Sequence, residues 1–119
     1  MEIKVQVPKS LLVALNQLYE IEQKLKKTDD PANLQRNVSK MRDAFEEFGL
    51  TYEDPMGQPF KETRTDLEAT ISGEGTEHLV VVEVIKPIIR VVMREDAGGF
   101  SKVIQKGIVV VESRKETNT

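Results

Sequence analysis

The chain contains no cysteine, which removes disulfides, thiolate metal sites and cysteine nucleophiles together and suits a reducing compartment. It has one histidine, His78, so a nucleophilic triad or a multi-histidine metal site has almost no material, and a turn residue before Leu79 is its default role. No apolar run approaches the roughly 20 residues that a membrane-spanning helix needs. The N-terminus also lacks the charged-then-apolar order of a signal peptide. An excess of positive charge is missing too: 17 Lys and Arg stand against 20 Asp and Glu, a net charge of -3, which argues against nucleic acid as a main partner. These absences read as a cytoplasmic, soluble chain with no nucleic-acid or membrane partner, no cofactor, no metal and no catalytic residue. Its 119 residues, 39% hydrophobic and 31% charged, are enough for one domain with a modest core.

What is present changes period along the chain. Ile3, Val5 and Val7 alternate with Glu2, Lys4 and Gln6 until Pro8, which predicts a short strand or extended arm over residues 1–8. From Lys9 to Thr28 the spacing becomes helical: Ala14, Leu18, Ile21 and Leu25 lie four, three and four apart, broadened by Leu11 and Leu15, with Ser10 as a candidate N-cap. Thr28-Asp29-Asp30-Pro31 is a break and restart, with Asp30 placed to cap and Pro31 suited to a first helical position. The second helix carries the stripe Leu34, Val38, Met41, Phe45, Phe48, with Arg36, Lys40, Arg42, Asp43, Glu46 and Glu47 mostly turned away. Gly49 follows the last apolar position, as a left-handed C-terminal cap requires, and Asp54-Pro55-Met56-Gly57 reads as a turn with Pro55 second and Gly57 closing it.

Beyond this junction the composition is that of strands. Residues 66–72, 79–93 and 102–113 are rich in Val and Ile and are separated by Ser72-Gly73-Glu74-Gly75 and Asp96-Ala97-Gly98-Gly99. Pro87 demands a bend, bulge or edge within the second run. The expected organisation is α+β: an arm (1–8), a helix hairpin (9–49), a small all-β domain (50–113) and a polar tail (114–119). Two helices with such stripes cover them poorly within one hairpin, so two copies are expected to form a dimeric four-helix bundle through Leu18, Ile21, Leu25, Leu34, Val38, Met41, Phe45 and Phe48. The alternative is that the stripes pack on the chain's own sheet.

The order of these segments resembles the GrpE family of nucleotide exchange factors for DnaK-type chaperones. The likeness rests on Phe48-Gly49-Leu50, on Asp54-Pro55-x-Gly57-x-Pro59-Phe60, on Leu67-Glu68-Ala69, on Val81-Val82-Glu83-Val84 and on Ile108-Val109-Val110-Val111. It implies a homodimer whose β-domain wedges into the ATPase domain of a chaperone and promotes ADP release, with no covalent chemistry. The chain departs from the family in several places. Seven residues of arm precede Pro8 where the family carries a long helical stalk. Leu67 replaces a histidine, Lys86-Pro87-Ile88-Ile89 replaces Gln-Lys-Gly-Tyr, and Gln105-Lys106-Gly107 replaces an Arg-Pro or Arg-Ala. The alternative is an adaptor of the same fold with a different protein partner.

For the contact surface, an extended 86–94 segment would set Lys86, Ile88, Arg90, Val92 and Arg94 on one face and Pro87, Ile89, Val91 and Met93 on a core face. The first face, extended by Lys102, has the mixture of arginine and branched apolar side chains found in binding patches. An ordinary solvated strand face covered by arginine stems has the same composition. Gly49, Pro55 and Gly57 are read as structural. Glu62, Asp66 and Glu68 are read as solvated charge, the glycine pairs as turns, and Asn37-Val38-Ser39 as part of a helix.

Overall fold

A computed structural model describes residues 7–93 and 99–114 of the chain; the first six residues of the predicted 1–8 arm and all but the first of the 114–119 tail lie outside them. The fold is α+β, with two helices, α1 (Lys9–Lys26) and α2 (Leu34–Glu47), and six strands, β1 (Leu50–Glu53), β2 (Leu67–Ser72), β3 (Leu79–Lys86), β4 (Ile88–Val92), β5 (Ser101–Gln105) and β6 (Gly107–Ser113). The strands form two three-stranded sheets, β1-β4-β5 and β2-β6-β3. In the first sheet both pairings are antiparallel; in the second, β2 runs parallel and β3 antiparallel to β6.

Local chemistry sets the helix ends, with small shifts from expectation. α1 begins at Lys9 after Pro8, so Ser10 lies inside the helix and is no cap. Before α2, the Asp30 carboxylate accepts from the amides of Leu34 and Gln35 at 2.7 and 2.8 Å, which satisfies two orphan donors of the first turn. Pro31 falls in the connecting turn and not at the first helical position, because Asn33 in left-handed geometry precedes Leu34. At the far end Gly49 adopts φ 92°, and an added Cβ would meet the Val92 carbonyl oxygen at 3.0 Å. The helix therefore ends there and β1 starts at once. The following turn is one residue later than expected: Gln58 N–H donates to Pro55 O at 3.1 Å, Gly57 takes φ 81°, and Asp54 accepts from the Met56 amide.

Two predicted strands each divide at one level of the molecule. Residues 79–92 pass from the second sheet to the first at Pro87, and residues 101–113 pass back at Lys106, between Gln105 and Gly107. The two crossings lie side by side, since Lys86 pairs with Ile108 and Ile89 with Gln105. Pro87 has no N–H to offer a ladder. Its carbonyl accepts from Gln105 Nε2 at 3.0 Å, and Gln105 exchanges two amide hydrogen bonds, 2.9 and 3.0 Å, with Asn16 of α1. Gly107 is required for space, because a Cβ there would lie 2.8 Å from Leu67 Cδ2 and 3.0 Å from Ile88 Cγ1.

There are two cores. One joins Leu15, Leu18 and Val38 of the helices to Leu50, Ile89 and Val91 of the first sheet; the other encloses Leu67, Leu79, Val81, Ile88, Val109 and Val111. Strands β1, β4 and β5 of the 50–113 region thus share a core with the 9–49 hairpin. Each helical stripe is split lengthwise. The row Leu11, Leu18, Leu25 and the row Val38, Phe45 pack on the first sheet, whereas Ala14, Ile21 and the heptad-spaced Leu34, Met41, Phe48 remain exposed. A carboxylate interrupts the inner row. Glu22 is 7% exposed and accepts from Arg42 Nη1 at 2.6 Å and Tyr52 Oη at 3.1 Å. Tyr52 meets Tyr19 edge to face, with centroids 5.7 Å apart, and burial, then the Glu22 charge, hold its phenol well above the usual range.

Two outcomes follow for urea unfolding. Arg42→Ala, which strips the buried Glu22 carboxylate of its cation, is expected to cost about 1–3 kcal/mol, and Glu22→Gln in the same chain to recover part of that loss. Gly107→Ala is expected to cost about 1–3 kcal/mol by overpacking, and a midpoint unchanged from the parent chain would show the corner to be looser than its distances.

Candidate partner-binding surfaces

The residues expected to meet a partner separate into three groups. Ile88 is excluded: it is fully buried. The alternation that would expose it fails at the corner, where the chain has a core on either side. Ile88 enters the second core and Ile89 the first. Arg90 is occupied within the molecule. Its Nη2 donates to Asp66 Oδ2 at 3.0 Å, and its Nε lies 3.7 Å from Glu53 Oε1. Val92 and Met93, by contrast, are exposed at the end of β4, although strand alternation places Met93 on the core face. Lys102, whose Cα partner is Val91, is exposed beside them on β5. Arg94 lies outside the described residues.

Asp66 is not the solvated carboxylate expected. Arg64 reaches it with Nε at 3.0 Å and Nη2 at 2.9 Å while donating Nη1 to Gln58 and to the Pro59 carbonyl. The hydrogen bond from Arg64 is the largest influence on Asp66, and with Arg90 it holds the carboxyl below its ordinary range despite opposing burial. Loop 54–66 is thereby fastened to β4, and Pro55, which is fully buried, and Gly57 shape its turn.

The helix residues expected at a dimer interface are likewise divided. Leu18 and Val38 are buried against the chain's own sheet, and Leu25 and Phe45 are partly covered by it. Ile21, Leu34, Met41 and Phe48 are exposed, Phe48 at 74%. A shallow groove of about 180 Å³ runs between Leu11, Ala44, Phe45 and Phe48. Val92 N–H donates to Gly49 O at 2.8 Å, which brings Phe48, at the end of the outer helical row, to the neighbourhood of Val92 and Met93. The two surfaces expected separately from sequence approach each other at this junction.

Three contributors were not legible as a site: Glu22, Asn16 and Gln105. Glu22 had a signal, being a charge between Leu18 and Leu25 on an otherwise apolar row; the Asn16–Gln105 pair is 89 residues apart in sequence and had none. Among the described residues no group of three or more His, Cys, Asp or Glu is placed to hold a metal ion, and no helix is long and apolar enough to cross a membrane. Comparison with protein families, curated proteins and solved structures gives no match for this chain.

The sign of the Asp66 linkage is fixed by its depressed folded-state pKa. Its contribution is fully present above the ordinary carboxylate range and is lost as pH falls through the folded value. Asp66→Asn is expected to lower stability by about 1–3 kcal/mol at neutral pH, with the gap to the parent narrowing in acid; a gap independent of pH would show that ionisation of Asp66 contributes nothing.

Proposed function

We propose that this chain is a GrpE-like co-chaperone, acting in the cytoplasm as a homodimer that binds the ATPase domain of a DnaK-type chaperone and promotes ADP release. The observation that carries the reading is the junction at Gly49: an outward apolar row, Leu34, Met41 and Phe48, ends beside the exposed Val92–Met93 end of a small β-head. The outer helical rows provide self-complementary seams for a second copy. The β4–β5 end, with Val92, Met93 and Lys102, provides the contact with the chaperone.

Such a factor needs no bond chemistry. It works by binding the open, nucleotide-free cleft more tightly than the closed one, since equal affinity for both would move no population. One observation favours a second reading, an adaptor for another protein: burial of Ile88 and the ion pairs of Arg90 leave the expected patch with fewer anchors.

The deciding experiment is stopped-flow release of fluorescent ADP from DnaK-type chaperones of the same cell, with Val92→Asp and Lys102→Ala as variants. Acceleration by the parent chain, weakened about tenfold by Val92→Asp, a loss near 1.4 kcal/mol of binding, supports exchange activity through this end. No acceleration by a folded parent chain with any such chaperone rejects it in favour of the adaptor.

A further inference from the structure

The two edges of the second sheet differ in their protection. An open edge is a template for another strand unless bulges, charges, prolines or a covering segment blunt it. β3 is blunted, with register irregularities between Val81 and Glu83 and between Val84 and Lys86. Its first half is covered by loop 57–60 through Gly57 N–H to Val81 O, Val81 N–H to Gln58 O and Phe60 N–H to Leu79 O, all 2.8–3.0 Å. Among the described residues β2 has no bulge, no proline and no covering loop, and its one charge is Glu68. Its six residues, LEATIS, keep unbroken register with β6 from Leu67–Gly107 to Ser72–Glu112, and among the described residues β6 is the only strand that pairs with it.

The phase of the open side follows from one bond. Gly107 N–H donates to Asp66 O at 2.9 Å. Successive residues of a strand turn their amide groups to opposite sides, so Glu68 and Thr70 bond to β6 while Ala69 and Ile71 present N–H and C=O outward.

We propose that β2 pairs with β2 of a second copy, antiparallel, about a two-fold axis at Thr70. In that register Ala69 faces the second copy's Ile71, Glu68 faces Ser72, and Thr70 faces Thr70. Each Ala69–Ile71 pair joins two outward-facing residues and exchanges two backbone hydrogen bonds. Ile71, 46% exposed, finds cover over the small side chain of Ala69, and the strand's single charge lies opposite a neutral serine, so no like charges meet. An axis at Glu68 would set two carboxylates face to face. An axis at Ala69 would oppose two alanines and turn Ile71 toward Leu67, which is already buried in its own copy. One strand per copy is a small contact beside the roughly 1,200 Å² of a stable interface. The association is therefore weak and rises with concentration, and it is independent of any pairing through the helices.

The absence of native cysteine makes each introduced thiol unique. At a two-fold axis between non-hydrogen-bonded residues, Thr70→Cys places its Cβ atoms about 4.5–5.5 Å apart, within a small adjustment of disulfide geometry. Two Glu68→Cys thiols would be about 13 Å apart along the strand. The side chains of Glu68, Thr70 and Ser72 are exposed, and circular dichroism of the reduced full-length variants checks that folding is unchanged. Under mild oxidation Thr70→Cys is expected to form disulfide dimers at least about tenfold faster than Glu68→Cys. An equimolar mixture of Glu68→Cys and Ser72→Cys is expected to give the mixed dimer in preference to either homodimer. Equal rates for Thr70→Cys and Glu68→Cys, or a mixture without preference for the mixed dimer, overturn the proposal.

Discussion

Everything in this molecule hangs on two strands having to leave one sheet and join another at the same level. A continuous ladder across that corner would demand a hydrogen bond where the backbone bends and a side chain where two sheets converge. Pro87 removes the donor and Gly107 removes the Cβ. The Gln105 side chain then supplies the Pro87 carbonyl with the partner that the broken ladder withholds, and Asn16 fixes that amide from the helix side. The arrangement satisfies partly buried polar groups at the corner, and it ties α1 to the point from which both cores diverge.

The hairpin shows why amphipathic stripes are ambiguous evidence for a partner. A four-three-four-three pattern consists of two parallel rows of side chains, and one sheet need touch only one of them. Here Leu18 and Val38 face inward while Ile21, Leu34, Met41 and Phe48 do not. Packing on the chain's own sheet and pairing with a second copy are alternatives in the sequence pattern; the row geometry leaves room for both. Glu22 belongs to the same logic, because an ionised side chain in the inner row is tolerable only with Arg42 and Tyr52 supplied by α2 and β1.

Much of the element order was legible because its signals are local: the helical periods, the glycine that ends α2, the proline that interrupts the long strand, the positive-φ turn position of His78. The break at Lys106 was not, since Gly107 is needed for contacts with Leu67 and Ile88, far away in sequence. The same reason defeats the face assignment of β4. Alternation sorts side chains correctly only while a strand has one wet side, and at Ile88 and Ile89 both sides are dry. The ion pairs of Arg90 and Asp66 are hidden from sequence in a related way: each carries its charge at a surface, but loop 54–66 brings Arg64 and Asp66 to β4 from a distance no pattern records.

The strand order also has a temporal meaning. β4 is central to the first sheet and β6 to the second, yet β4 is made about forty residues after β1 and β6 about forty after β2. A nascent chain halted before Gly107 would carry β2 and β3 with nothing between them, β2 offering Leu67 and Ile71 and β3 its valines to whatever passes. Synthesis therefore yields no finished half: the hairpin waits for β4 and the second core waits for β6, so β1 and β2 each stand without their central partner while about forty further residues are made.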